Sequence, residues 1–125
     1  MILSCLKPIK LQNRGYTLLN SHDDFSLDAK RLQSLGIIIN ELLTNIMKYA
    51  FKGRKRGLIV ATATNVGGHI TCSVKDDGNG MPESVSFETS AGFGLQLVQA
   101  LTQQLEGTIR IERNNGTRFI IEFEE

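Results

Sequence analysis

Cysteine, proline and tyrosine each occur only twice in this 125-residue chain, tryptophan is absent, and neither sign of charge prevails. Each scarcity removes a class of explanation. Cys5 and Cys72 lie far apart, with no CxxC and no neighbouring histidine pair, so reduced structural thiols of a cytosolic protein are expected. Fourteen basic against thirteen acidic residues give no general pull toward nucleic acid or an anionic membrane. No apolar run approaches the length of a membrane span, and Met1 to Pro8 carries no secretory pattern. Internal repeats and low-complexity tracts are missing as well. Neither G-x-x-x-x-G-K-[ST] nor G-x-G-x-x-G occurs, which excludes a P-loop and lends nothing to a dinucleotide fold.

What is present suits one ordinary domain: 41% apolar and 22% charged residues, on a chain long enough to bury a core without staples. The centrepiece is Leu35 to Phe51. Ile38, Leu42 and Ile46 recur at four-residue spacing, and Leu35, Ile39, Leu43 and Met47 widen that stripe, as in a helix packed on a core. A second stripe holds Glu41, Asn45, Lys48, Tyr49 and Lys52. A solvated helix face is the plain explanation. A carboxylate and a carboxamide one turn apart also suit a hydrated cation, and a lysine one turn further suits phosphate.

The remaining chain divides readily. Ile2 to Leu6 is expected as the last turn of a helix, and Ile9 to Leu11 as a short strand; residues 1–14 are expected to be the remnant of a connecting segment, the chain being a fragment of something longer. Tyr16 to Asn20 has strand composition. Ser21 to Ser26 reads as a turn, with His22 in it, and Asp28 as the N-cap of the long helix. Gly53 is placed to end that helix, followed by a solvated basic turn, Lys52 to Arg56. Leu58–Asn65 and Ile70–Lys75 flank Gly67-Gly68, and Thr108–Glu112 and Arg118–Phe123 flank Asn114-Asn-Gly116, giving two hairpins. Leu95–Leu105 is a second amphipathic helix stopped by Gly107. The expected architecture is an α/β two-layer sandwich: a mixed, mostly antiparallel sheet with helices on one face. His22 and His69 are expected as surface histidines.

Two glycine-rich stretches carry the chemistry. Asp76-Asp-Gly-Asn-Gly80 sets a carboxylate at a strand end, with glycines that let backbone approach a ligand. Such a carboxylate can accept from an exocyclic amine like that of adenine; a plain Asp-Gly turn has the same composition. Asp77 is expected to face solvent. Gly92-Phe-Gly94 precedes the second helix, where backbone N–H groups and the positive dipole end can face an anion.

Together, Glu41-x-x-x-Asn45, Asp76-x-Gly78-x-Gly80, Gly92-x-Gly94-Leu-x-Leu97 and Gly116-Thr-x-Phe119 resemble, in order and approximate spacing, the Bergerat ATP-binding fold of gyrase, MutL, heat-shock chaperones and sensor histidine kinases. Asn40 to Phe51 and Phe93 to Val98 look closest to the catalytic domain of two-component sensor histidine kinases with a short ATP lid, over about residues 16 to 124. The resemblance implies ATP and Mg²⁺ as ligands. Asn45 would ligate Mg²⁺, Lys48 would pair with phosphate and Tyr49 would pack near adenine. Asp76 would accept the adenine amine, with Gly78 and Gly80 shaping the pocket, Gly92 and Gly94 meeting phosphates and Thr117 at the floor. Glu41 stands where the ATPase branches place a general base and many histidine kinases place Asn. The lid would be Met81 to Ala91. The resemblance further implies a cytoplasmic catalytic domain whose partners are a histidine-bearing dimerisation domain upstream of this chain and then a response regulator receiver domain. A free-standing anti-sigma-factor-type serine kinase and a degenerate nucleotide-binding module are the other readings.

Overall fold

The computed structural model describes residues 3–11, 16–49, 56–78, 94–113 and 115–125, with side chains from Leu18 onward except that of Tyr49. The expected helix end at Gly53 and its basic turn, Gly80, Gly92, the lid over 81–91 and the Tyr49 side chain lie outside the described residues. The elements run β1 (Leu3–Leu11), β2 (Tyr16–His22), α1 (Ala29–Tyr49), β3 (Gly57–Val66), β4 (His69–Asp76), α2 (Leu95–Gln104), β5 (Thr108–Arg113) and β6 (Thr117–Glu124). One sheet contains all six strands, in the order β1-β2-β3-β4-β6-β5. Among the described strands only β2 and β3 pair in parallel, because α1 carries the chain back between them; the other four pairs are antiparallel.

Alternation decides which face is covered. On β4, Ile70, Cys72, Val74 and Asp76 are buried, and on β6 so are Thr117, Phe119, Ile121 and Phe123. These period-two sets face the helices. On α1, Ile38, Leu42 and Ile46 are fully buried, with Leu35 beside them and Ile39, Leu43 and Met47 at the margin. Burying each such side chain contributes about 1.5–3 kcal/mol, which together outweighs the roughly 0.5–1 kcal/mol that Gly36 costs a helix interior. Helix α1 starts where Asp28 caps it, its carboxylate accepting the Arg31 N–H at 2.8 Å and its carbonyl the Leu32 N–H at 2.9 Å. Helix α2 lies antiparallel alongside α1. Ser34 reaches Gln104 at 3.4 Å and Arg31 reaches the Leu105 carbonyl at 3.2 Å near one end, while Glu41 meets Gly94 near the other.

Three local expectations are corrected. Residues 3–6 are strand rather than a helix end: β1 pairs along β2, with a register irregularity between Leu3 and Lys7, and this edge position accommodates Pro8, which has no N–H to give a second neighbour. His22 is not in a loop but closes β2, opposite Leu3 and Ala63. The residue that turns α2 off is Glu106, in the left-handed region at φ 56. Gly107 serves a different need: a Cβ there would come under 3.0 Å from the Glu122 carbonyl, so the glycine lets the chain cross β6 closely.

Candidate functional site

Topology gathers the candidate residues at one end of the sandwich. β4 ends at Asp76, and its antiparallel partner β6 begins beside it, Lys75 pairing with Arg118. β3 begins there too, since Ile59 pairs with Asp76. Helix α1, which leads into β3, finishes toward this end, and α2, antiparallel to it, starts there. Asp76, Gly78, Thr117, Gly94 and the C-terminal half of α1 therefore share one rim.

At the strand end the carboxylate of Asp76 is only 1% exposed. One oxygen accepts the Gly78 N–H at 2.9 Å and the other the Thr117 N–H at 3.2 Å. Main-chain donors from two different turns thus hold the carboxylate plane. Charge-assisted bonds of this kind are roughly twice as strong as neutral ones, which offsets the cost of taking a carboxylate out of water. Thr117 is itself fully buried, as a residue at the floor of a site would be.

Asp77 faces solvent as expected, and it also fastens the turn. It is exposed, yet its carboxylate accepts the Leu58 N–H at 2.8 Å while its own N–H donates to the Leu58 carbonyl at 3.1 Å. The D-x-G turn is so fastened to the start of β3. Gly116 is a residue to which sequence reasoning gave only a turn and a place in the family motif. It has φ 109, and a Cβ there would come under 3.0 Å from the Asp76 carbonyl; the Asn-Gly pair signalled a turn, but only the sheet order brings that turn onto Asp76.

On the helical side, Asn45 is 3% exposed, Glu41 is half-buried and Lys48 is exposed in the last turn of α1. Gly94 is the N-cap of α2 at φ 73, and a Cβ there would fall 2.5 Å from Glu41 Oε2. The glycine is therefore needed twice, for its left-handed backbone and for the space the glutamate takes. A carboxylate at that point faces the positive end of the α2 dipole. The structure thus brings Asp76, Gly78 and Thr117 together, sets Glu41 against Gly94, and puts Asn45 and Lys48 on successive turns of the same helix.

Other polar and apolar features lie apart from this rim. His69, at the start of β4, is clasped by Glu124 at 2.6 Å and Glu122 at 3.0 Å, and Arg110 pairs with Glu122. The Cys72 thiol is pushed up to about 11 by burial, which makes it an inert core thiol. A largely apolar cavity of about 320 Å³ sits between α1 and β2–β4, near Phe25, Leu35, Ile39, Ala61 and Ala63; none of the expected site residues lines it.

A protein of this architecture, with a buried strand-end carboxylate and a glycine-led helix on one rim, is a nucleotide-binding α/β domain. The chain belongs to the histidine kinase-, DNA gyrase B- and HSP90-like ATPase family, whose model matches residues 30–125, and ATP binding follows from that membership. The blue-light-activated histidine kinase 2 of Erythrobacter litoralis is 26% identical over 113 residues, covering 89% of this chain and 32% of that protein. The sensor histidine kinase PdtaS of Mycobacterium tuberculosis is 32% identical over 124 residues, covering 96% and 23%. This chain therefore spans between about a quarter and a third of the length of those two relatives. Among solved structures, the histidine kinase domain of an Erythrobacter litoralis blue-light-activated kinase superposes with a TM-score of 0.81 at 24% identity, covering 88% of this chain and 52% of that one. The catalytic domain of histidine kinase ThkA does so at 0.69 and 22%, covering 90% and 80%. These likenesses establish the fold.

Proposed function

We propose that this chain is the ATP-binding catalytic domain of a sensor histidine kinase, presenting Mg-ATP for phosphoryl transfer to a histidine on an upstream dimerisation domain and from there to a response regulator receiver domain. The observation that carries the reading is the Asp76 carboxylate, pinned by two main-chain N–H groups on the rim where Glu41, Asn45 and Gly94 also lie. The curated relatives, each named a histidine kinase, favour that branch of the family over a serine kinase. The retention of both Asn45 and Asp76 favours it over a degenerate module.

The roles follow from the chemistry of each group. A carboxylate has about four acceptor positions, so Asp76 can serve an adenine amine beside its main-chain donors while Gly78 keeps the approach open. Gly94 would present the α2 N-terminus to phosphate oxygens, and Lys48 would add a positive charge. The family resemblance would add Gly80 and Gly92 to the same pocket and Tyr49 to the adenine wall, with Thr117 at the floor. Oxygen donors on neighbouring turns suit a hard cation that takes its other ligands from phosphates and water, so Asn45 would hold Mg²⁺, with Glu41 orienting water or the acceptor nearby. The bound ion would neutralise charge developing on the transferred phosphoryl group. No helix among the described residues is long and apolar enough to cross a membrane; a cytoplasmic location is part of the proposed kinase role, which draws on ATP and a response regulator.

Calorimetric titration tests this. ATP and ADP should bind in the micromolar range, about 7–8 kcal/mol. Asp76→Ala should abolish binding, and retained affinity would remove the adenine assignment. Asn45→Ala should leave nucleotide binding but erase its dependence on Mg²⁺; an unchanged metal dependence would contradict the cation role.

A further inference from the structure

We infer that Gly116 is the positioning residue for base recognition: the β5–β6 turn is seated on Asp76 so that its backbone aims the carboxylate, and any side chain at 116 would spoil that aim. The inference rests on the adenine reading of Asp76 above. Three observations on different atoms converge. Gly116 adopts φ 109, and the place its Cβ would occupy is under 3.0 Å from the Asp76 carbonyl oxygen and 3.0 Å from Asp76 Oδ1. The next residue sends its N–H to Asp76 Oδ2 at 3.2 Å. Both Asp76 and Thr117 are nearly or wholly removed from solvent, at 1% and 0% exposure, so neither can shift without disturbing packed neighbours.

One oxygen of Asp76 is thus held by its own turn through Gly78, and the other by a hairpin some forty positions later in the chain. The Gly78 contact is local and would survive a displacement of β5–β6. The Thr117 contact would not. A methyl at 116 would push the turn away from the carbonyl of Asp76, lengthening the 3.2 Å bond and loosening the aim of the carboxylate. Base selectivity is where the loss should appear. A fixed carboxylate accepts from the amine of adenine but repels the carbonyl that guanine offers at the same edge, whereas a loosely aimed one discriminates poorly.

The chain carries its own control for backbone strain. Gly68, in the β3–β4 turn, has φ 91 and nothing within 4 Å of its Cβ position. Gly68→Ala therefore suffers left-handed strain without the clash, far from the site. ATP and GTP affinities of wild type, Gly68→Ala and Gly116→Ala should be measured by calorimetry beside their melting temperatures. Both variants should melt earlier. Gly68→Ala should keep the ATP-to-GTP preference, whereas Gly116→Ala should lose about tenfold or more in ATP affinity with GTP affinity little changed, so that the preference collapses. Equal loss for both nucleotides in Gly116→Ala, or an unchanged ATP affinity, would overturn the positioning role. Should Gly116→Ala not fold, amide exchange on the wild-type chain decides. The Thr117 and Gly78 amides should slow on adding ATP and not on adding GTP; no ATP-specific slowing sinks the inference. Wild type that binds no ATP at all would instead strike down the nucleotide reading and this inference with it.

Discussion

At position 69 a single side chain ties β4 to the end of β6. The hydrogen bond to Glu124 is the chief reason that the His69 imidazolium is favoured, raising its pKa above the ordinary 6.5, and the bond to Glu122 adds to it. Glu122 is correspondingly held below its ordinary 4.5, first by His69 and then by Arg110. The signs follow from linkage. A raised histidine contributes stability that is fully present below about 6.5 and disappears as pH rises through the folded value. A lowered glutamate contributes stability that is present above about 4.5 and disappears as pH falls through its folded value. The cluster should therefore help most in mildly acidic solution, by an amount that solvent screening keeps modest. Melting temperatures of wild type and His69→Gln across pH 4 to 9 should diverge most near pH 5 to 6 and converge as pH rises through the folded imidazole value; a gap that stays constant through that range would show that the imidazolium contributes nothing. Sequence reasoning treated His69 as one more surface histidine, since its partners lie more than fifty residues away and only strand register delivers them.

Elements were easier to read than their joints. The apolar stripe of α1, the Asp28 cap and both glycine-marked hairpins all stand where spacing and turn chemistry put them. Residues 3–6 differ from the expectation because Leu3-Ser-Cys-Leu6 does not keep a clean alternation and Lys7-Pro8 follows it directly, so the pairing partner is what decides. The joint after α2 was misread for a subtler reason: a glycine after a helix ordinarily supplies left-handed backbone, yet here Glu106 does so and Gly107 answers to a carbonyl across the sheet. Gly36 and Gly107 make opposite predictions. Gly36 is exposed inside α1 with nothing within 4 Å of its Cβ position, so Gly36→Ala should stabilise by about 0.5–1 kcal/mol. Gly107→Ala should cost about 1–3 kcal/mol through overpacking against Glu122. Urea unfolding midpoints decide both, and a neutral Gly107→Ala would mean that the crossing can relax.

The molecule as a whole has two distinct ends. Opposite the candidate site, the Arg31 guanidinium donates to the Leu105 carbonyl at 3.2 Å and the Glu124 carbonyl at 2.5 Å, and lies 5.7 Å from the centre of the Phe123 ring, which Phe25 meets edge-on at 6.0 Å. Those contacts join both helices to the last strand. Arg31→Ala should lower unfolding free energy by roughly 1–3 kcal/mol while leaving the ATP dissociation constant within error of wild type; a weakened ATP affinity would mean that the ends communicate. The two-layer architecture was legible because helix and strand periods are distinct in this chain. The convergence at the rim was legible only through the family resemblance, since no local pattern says that residue 117 will touch residue 76.

The sheet order carries one more consequence. β6 follows β5 in the chain yet is inserted between β4 and β5, so a nascent chain that has made only β1 to β5 has a gap between β4 and β5. A chain stalled before Thr117 would have neither that central strand nor the second clasp on Asp76. Capacity to take up nucleotide would then depend on β6 docking into that gap, and a chain cut before Thr117 should bind no ATP.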